Sequence, residues 1–218
     1  MTLQATLDAF RAAFKTGKPP YNALPHIHAI MERATAELIT SGAAQRALKV
    51  GDIAPLFSLK DAHGALVSSA ERLAQGPLVL TFYRGVWCPY CNLELHALQA
   101  FLPTLNATGA SLLALSPQTA ANSRKSTRIA HLEFPILSDT HNDVADAFGL
   151  RFKLPDYLIE LYLSRGNNLA LFNDDPAWTL PMPARYVIGP DSVIRYAEVN
   201  PDYTQRPEPS AMLEALTR

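Results

Sequence analysis

Both cysteines of the chain lie three residues apart, in the segment Cys88-Pro89-Tyr90-Cys91. An apolar run at residues 78–83 comes just before them and predicts a buried strand, and a helix is expected to begin at Cys88. A helix N-terminus carries a partial positive charge and free N–H groups, which lower the pKa of a cysteine placed there. Residues three apart on a helix are neighbours, so the two sulfurs could form a disulfide. The spacing therefore predicts a pair of redox-active thiols.

The two thiols are expected to differ in exposure. Cys91 continues the apolar stripe of the predicted helix at Leu95 and Leu98, so it should be the more buried thiol and Cys88 the more exposed one. Pro89 fits the first helical turn, where its missing N–H costs nothing. The alternative for the pair is two ordinary core residues. A zinc site would need two further ligands, and neither a second cysteine pair nor a helical His-x-x-x-His is present, so neither a metal nor a cofactor is expected.

Periodicity predicts alternating helices and strands around the pair. The predicted helices cover residues 3–14, 26–38, 88–102, 119–131, 143–148, 156–164 and 210–216. The predicted strands cover residues 78–83, 111–115, 134–137, 185–188 and 193–199, with a short strand inside 52–59. The helix at 88–102 is expected to stop at Pro103, and the rest of 150–182 is expected to be irregular. This order predicts an α/β fold, a central mixed sheet flanked by helices.

Composition narrows the class of protein. Of the 218 residues 48% are apolar, and 19 basic against 20 acidic residues leave a formal net charge of −1, which argues against nucleic acid as a partner. No apolar run approaches the ~20 residues that span a bilayer, so no membrane association is expected. The first twenty residues lack a signal-peptide pattern, and a globular cytoplasmic protein is predicted. The first 46 residues are predicted to be a helical extension that packs on the main domain or on a second subunit.

Several motifs around the cysteine pair carry a family resemblance. They are Val50-Gly51-Asp52-x-Ala54-Pro55-x-Phe57, the strand end Phe82-Tyr83, Glu94-Leu95, Phe134-Pro135-x-Leu137-Ser138-Asp139 and the late hairpin. Together they resemble the peroxiredoxin family (alkyl hydroperoxide reductase/thiol-specific antioxidant), whose members have a thioredoxin fold. The resemblance implies a thioredoxin-like domain at 47–218 after a helical extension at 1–46. Aligned without gaps from Phe82-Tyr83, the peroxide-attacking cysteine of the family falls on Cys91.

Two departures from the family pattern point to a second resemblance. Cys88 replaces the family's threonine, and Pro183 replaces its arginine, two groups that hydrogen-bond the peroxide. The segment Cys88-Pro89-Tyr90-Cys91 is that of a glutaredoxin, and Trp87 precedes it as in thioredoxin. Pro183 falls where such reductases carry a cis-proline facing the disulfide, so this resemblance implies a cis Met182–Pro183 bond. The chain is similar to the peroxiredoxin-like branch whose members carry C-x-x-C.

The resemblances imply two mechanisms. In a peroxidase, one thiolate attacks the peroxide and becomes a sulfenic acid, the other cysteine condenses with it, and thioredoxin or another thiol donor reduces the disulfide. In a thiol–disulfide oxidoreductase, Cys88 attacks a substrate disulfide and Cys91 resolves the mixed disulfide. Cys91 attacks in the peroxiredoxin register and Cys88 in the thioredoxin one. A redox sensor with little turnover is a third reading.

Other residues are expected to support the cysteines. A peroxidase without the family arginine needs another cation near the reacting oxygen, and either Arg84 or Arg185 could supply it, against the alternative of surface or salt-bridged arginines. Trp87 could cover the thiols or simply pack, and Pro89, Tyr90 and Pro183 complete the supporting set. Proteins that resemble this chain often form dimers, and the N-terminal helices could serve a homodimer contact.

Overall fold

A mixed sheet forms the centre of the protein, shown by a computed structural model that describes residues 2–216. The strands are β1 (Ser58–Lys60), β2 (Leu66–Ser68), β3 (Leu78–Phe82), β4 (Ser111–Ser116), β5 (Ile136–Ser138), β6 (Arg151–Lys153), β7 (Thr179–Pro181), β8 (Ala184–Ile188) and β9 (Ile194–Val199). The central sheet has the order β5-β4-β3-β8-β9. Strands β3, β4 and β5 run parallel, whereas β8 pairs antiparallel with both β3 and β9. The predicted α/β fold with a mixed sheet is confirmed.

Helices surround this sheet. They are α1 (Leu3–Lys15), α2 (Pro25–Thr40), α3 (Ser69–Leu73), α4 (Pro89–Asn106), α5 (Ala120–Ala130), α6 (Asp143–Ala147), α7 (Asp156–Ser164), α8 (Leu169–Asn173) and α9 (Leu213–Leu216). The two faces of the sheet bury separate apolar clusters. Val79 and Leu112 belong to the cluster that includes Leu95 of α4, whereas Leu80 belongs to the cluster that includes Phe148. Because both faces are covered, β3 is buried along its whole length, and four of its five residues are apolar.

The first two helices pack on different parts of the molecule. Helix α1 places Leu3 and Leu7 in the cluster that also holds the α4 side chains. Helix α2 places Ile27 in a third cluster with Leu158 and Leu161 of α7. Both helices therefore lie against the side of the protein where α4 begins.

Several elements differ from the sequence predictions. The pairs β1–β2 and β6–β7 and the short helices α3 and α8 were not predicted, because three to five residues are too few to show a period. The last helix begins as a 3-10 turn at Pro209–Met212. Among the helices of residues 2–216, none combines the length and apolar character needed to cross a bilayer.

The predicted end of the central helix at Pro103 is wrong, since α4 continues to Asn106. Proline clashes with the turn before it and lacks one N–H, but its fixed φ is compatible with a helix after it. The extra turn buries Leu105, which is 1% exposed in the same cluster as Leu95 and Leu98. Burial of Leu105 therefore favours continuation of the helix despite the proline.

We expect Leu105→Ala to lower the free energy of unfolding by about 2–5 kcal/mol, because it removes a buried side chain and leaves a cavity. Equilibrium urea unfolding measures this. The control is Leu171→Ala, since Leu171 is 76% exposed, and its effect should stay within about 0.5 kcal/mol. A cost for Leu105→Ala as small as that of the control would contradict the packing of the last turn of α4.

Candidate active site

The loop from β3 to α4 is held in a defined shape just before the cysteines. Gly85 has φ +142°, and a Cβ there would lie 2.6 Å from Nε1 of Trp87, so this position requires glycine. The Val86 N–H donates to Oε1 of Gln118 at 2.8 Å, and the Cys88 N–H donates to the Gly85 carbonyl at 3.1 Å. Cys88 is the N-cap of α4. The strand-to-helix turn predicted from the sequence is confirmed.

Both thiols are buried. Cys88 is 1% exposed and Cys91 0%, so Cys91 is the more buried thiol, as predicted, but only by this small margin. Cys88 borders a cavity of about 290 Å³, hereafter the thiol cavity, and Cys91 is not part of its lining. Phe10, Phe14 and Tyr21 of the N-terminal segment line the same cavity. The small margin has a physical reason, since the prediction considered only α4 and not the helices that cover it.

The surroundings of Cys88 favour a thiolate. Burial alone would raise the Cys88 pKa, but a hydrogen bond from the Cys91 thiol, the charge of Arg84, the Cys91 backbone N–H and the charge of Arg206 together lower it to about 6. The Cys91 thiol shows the opposite behaviour. Burial, its hydrogen bond to Cys88 and the negative charge on that sulfur raise the pKa of Cys91 well above its ordinary value, against the opposing charges of Arg206 and Arg84. At neutral pH the pair therefore consists of a Cys88 thiolate and a protonated Cys91.

A chain of buried charges lies beside Cys91. Nη2 of Arg206 is 3.7 Å from Sγ of Cys91, and Nε of Arg206 donates to Oε2 of Glu94. The other Glu94 oxygen accepts from Nη2 of Arg185 at 2.8 Å. Arg206 was not identified from the sequence, and no local motif marks it, because it comes from an irregular segment after β9. Glu94 appeared in the sequence analysis only as part of a family motif.

The two arginines proposed from the sequence lie in different surroundings. The remaining hydrogen bonds of Arg185 go to the carbonyls of Pro207 and Glu208, so it belongs to the Glu94 ion pair. Nη2 of Arg84 donates to the Tyr162 hydroxyl at 2.5 Å. The Arg84 guanidinium lies 4.1 Å from the ring centroid of Tyr203. Arg84 also lines the thiol cavity, where its charge acts on Cys88.

The remaining predicted residues fall into two groups. Trp87, Pro89 and Tyr90 line the thiol cavity together with Cys88. Pro183 instead lines a second cavity of about 740 Å³, which Arg84 also borders.

The predicted cis bond at Met182–Pro183 is wrong, since this peptide bond is trans. The Met182 N–H donates to the Leu150 carbonyl at 2.9 Å, and the Pro183 carbonyl accepts from the Asn200 N–H at 3.1 Å. These bonds hold the segment between β7 and β8 extended. Among residues 2–216, no three His, Cys, Asp or Glu side chains cluster closely enough to hold a metal ion.

Comparisons with known sequences agree on one family. The family model described as "AhpC/TSA family" matches residues 50–197. Peroxiredoxin Bcp of Escherichia coli (strain K12) is 32% identical over 103 residues, which are 47% of this chain and 65% of the relative. Peroxiredoxin Q, chloroplastic, of Triticum aestivum is 29% identical over 139 residues, 64% of this chain and 62% of the relative. The chain thus spans slightly less than two thirds of the length of these two relatives.

A third relative has a different name, Thiol-disulfide oxidoreductase ResA of Geobacillus thermodenitrificans, and is 30% identical over 105 residues, 48% of this chain and 59% of the relative. Among solved structures, peroxidoxin BcpB of Mycobacterium tuberculosis matches with a TM-score of 0.61 and 21% identity, covering 78% of this chain and 94% of that one. Peroxiredoxin Q of Xanthomonas campestris matches with a TM-score of 0.55 and 17% identity, covering 73% and 87%. These likenesses show a thioredoxin-like fold.

We expect the ultraviolet absorbance of the thiolate to titrate with a pKa of about 6 in the wild-type protein and to be absent near that pH in Cys88→Ser. Cys91→Ala should raise the pKa of Cys88, because the S–H donor is lost. Arg128→Met, on the exposed face of α5, is the control and should leave the titration unchanged. A titration near pH 6 that survives Cys88→Ser would contradict the assignment of the thiolate.

Glu94→Gln should lower the free energy of unfolding by roughly 3–5 kcal/mol, because two buried guanidinium groups lose their carboxylate. Urea unfolding at neutral pH provides the comparison. Glu133→Gln changes an exposed carboxylate and should stay within about 0.5 kcal/mol of wild type. If Glu94→Gln were as stable as this control, Glu94 would not be holding the two arginines.

Proposed function

Because the chain belongs to the AhpC/TSA family, we propose that it is a thiol-dependent peroxidase that reduces hydrogen peroxide or alkyl hydroperoxides through Cys88 and Cys91. The observation that carries this proposal is the thiol pair itself. A thiolate at the N-cap of α4 accepts a hydrogen bond from a second thiol, beside a buried cation and inside a small cavity. Such a site provides a nucleophile, a resolving group and charge stabilisation for a small substrate.

In the proposed first step, the Cys88 thiolate attacks the terminal oxygen of the peroxide. The S–O bond forms as the O–O bond breaks, which leaves Cys88 as a sulfenic acid and releases water or an alcohol after the leaving oxygen takes a proton. Cys88 is the proposed attacking residue because it carries the thiolate and borders the cavity. Arg84, the cation with the largest effect on Cys88, is placed to stabilise negative charge that develops on the leaving oxygen.

In the second step, Cys91 loses its proton and its sulfur attacks Cys88. The S–O bond of the sulfenic acid breaks, the hydroxyl leaves as water, and a Cys88–Cys91 disulfide forms. Arg206, 3.7 Å from the Cys91 sulfur, stabilises the second thiolate as it forms. A thioredoxin-type donor then supplies two electrons and two protons that restore both thiols.

Thiol–disulfide exchange is the second candidate function. It is favoured by the order of the pair, with the thiolate on the first cysteine of C-x-x-C and the protonated thiol on the second, and by the similarity to a relative named as a thiol-disulfide oxidoreductase. The burial of both sulfurs argues against it, because attack on a protein disulfide requires an exposed nucleophile. Burial is compatible with a small peroxide.

Several features of the whole protein belong to the same proposal. Residues 1–46 are proposed to be an extension that covers the thiol cavity, ahead of a peroxidase domain at 47–218; residues 1, 217 and 218 of these two ranges lie outside the described residues. A cytoplasmic location is proposed because two free thiols persist in a reducing compartment. A homodimer is proposed on the family resemblance alone.

Peroxide consumption coupled to a thioredoxin system tests the peroxidase. Cys88→Ser should reduce the rate by roughly two orders of magnitude or more, because it removes the nucleophile. Cys91→Ser should stop turnover after one peroxide, and dimedone should trap a sulfenic acid on Cys88, detected by mass spectrometry. The wild-type rate should fall as pH drops below about 6, where the Cys88 thiolate becomes protonated.

His96→Gln, at an exposed position of α4, is the control and should keep the wild-type rate. A sulfenic acid that forms on Cys91 in Cys88→Ser, and not on Cys88 in Cys91→Ser, would reverse the proposed roles. Peroxide consumption no faster than that of a free thiol, together with rapid reduction of insulin disulfides, would replace the peroxidase with the second candidate.

A further inference from the structure

The thiol site contains more buried positive than negative charge. Three buried guanidinium groups belong to this region, those of Arg84, Arg185 and Arg206, and the charges of Arg84 and Arg206 act on the sulfurs. Glu94 pairs with Arg185 and with Arg206. Arg84 forms no ion pair with a carboxylate anywhere in residues 2–216, and its one hydrogen bond goes to a neutral hydroxyl. Apart from the Cys88 thiolate, its other contacts are with the faces of the Trp87 and Tyr203 rings, so a bound anion would give this buried charge a hydrogen-bonded partner.

The hydrogen-bonding capacity of Arg84 is also incompletely used. Within the described residues, its Nε and Nη1 atoms have no acceptor. The Cys88 thiolate offsets part of the charge of Arg84. Oxidation of the pair to a disulfide removes that thiolate. In the oxidised protein the positive charge of Arg84 is therefore less compensated than in the reduced protein.

Arg84 lies where two cavities meet. It lines both the thiol cavity and the second cavity of about 740 Å³. Three other residues also line both cavities, namely Met31, Tyr162 and Tyr203. The volume of the second cavity is within the roughly 300–1,000 Å³ range of small-molecule sites. A ligand in this cavity would therefore have one end beside Arg84 and near the reactive sulfur.

Most of the second cavity is apolar. Its apolar wall is formed by α2, β6, α7 and the residues between β6 and α7, with the side chains Ala34, Leu38, Phe152, Leu154 and Leu158. The charged side chains of its lining, besides Arg84, are Arg46, Arg151, Lys153, Glu37 and Asp156. Glu37 is already bound to Arg33 and to the Tyr157 hydroxyl. The cavity thus combines an apolar body with an excess of positive charge.

We propose that this second cavity binds an organic carboxylate of medium length, with its carboxylate on Arg84 and its chain against α2 and α7. The inference deepens the proposed function and rests on it for the chemistry of the ligand, which is either a carboxylate-bearing hydroperoxide or a carboxylate-bearing thiol that reduces the disulfide. Binding itself involves no covalent step. It is stronger for the oxidised protein, because the Cys88 thiolate no longer competes for Arg84.

Isothermal titration calorimetry with decanoate and 1-decanol tests the binding, on oxidised and on reduced protein. The oxidised protein should bind decanoate at least about tenfold more tightly than 1-decanol, since a charge-assisted hydrogen bond is the difference between them. The ratio of the affinity for decanoate to that for 1-decanol should be smaller for the reduced protein. Decanoate should also raise the pKa of Cys88. Equal affinity for the two ligands, or no binding of either, would overturn the proposal.

Two variants test separately the charge of Arg84 and the space in the second cavity. Arg84→Met keeps the apolar stem and should abolish the preference for decanoate, whereas Arg128→Met, on the surface, should keep it. Ala34→Phe places a larger side chain in the second cavity, so it should weaken the binding of both ligands about tenfold or more. If Ala34→Phe left both affinities unchanged, the second cavity would not be the site.

Kinetics distinguish the two sources of the carboxylate. If the ligand is the oxidant, 2-hydroperoxydecanoate, whose reacting group lies next to the carboxylate, will have a higher kcat/KM than its methyl ester. If the ligand is the reductant, 2-mercaptodecanoate will have a higher kcat/KM than its methyl ester. Decanoate binding with no turnover of any peroxide would retain the site and reject the proposed peroxidase. Peroxide turnover without decanoate binding would retain the peroxidase and reject this inference.

Discussion

The carboxylate of Glu94 holds together the parts of the protein that meet at the thiols. One of its oxygens accepts from Arg185 of β8, and the other accepts from Arg206 of the segment after β9. Glu94 itself lies one turn after Cys91 on α4. Because all three side chains are buried, removal of the shared carboxylate would leave two buried cations without their anionic partner. The ion pair therefore sets the position of Arg206 beside the Cys91 sulfur and joins the central helix to the sheet and to the C-terminal segment.

The N-terminal helices form part of the wall of the cavity beside Cys88. Leu3 and Leu7 of α1 pack in the α4 cluster, and Phe10 and Phe14 line the thiol cavity beside Cys88. The same thiol pair at an open helix N-terminus would suit exchange with protein disulfides. Because aromatic side chains enclose the thiol pair, it is better suited to a small molecule. The apolar second cavity at Arg84 is also suited to a small molecule.

The fold was predictable to a large extent because its signals are local. The apolar run of β3 and the two strands of the late hairpin, β8 and β9, each span only a few residues, and these elements appear close to their expected bounds. The continuation of α4 past Pro103 was missed, since it depends on the burial of Leu105 against other elements. The trans bond before Pro183 was likewise set by pairing with Leu150 and Asn200, partners distant in sequence.

The family resemblance, the strand-to-helix turn and the candidate thiol pair can all be read from the amino-acid order, because motif, spacing and helix-start signals lie within one short segment. Which sulfur carries the charge, and how deeply both sulfurs are buried, depends on tertiary contacts. The pKa order of Cys88 and Cys91 depends on Arg84 and Arg206, which are more than a hundred residues apart in sequence. Charge interactions and burial act through space, so they exist only once the chain has folded and brought these groups together.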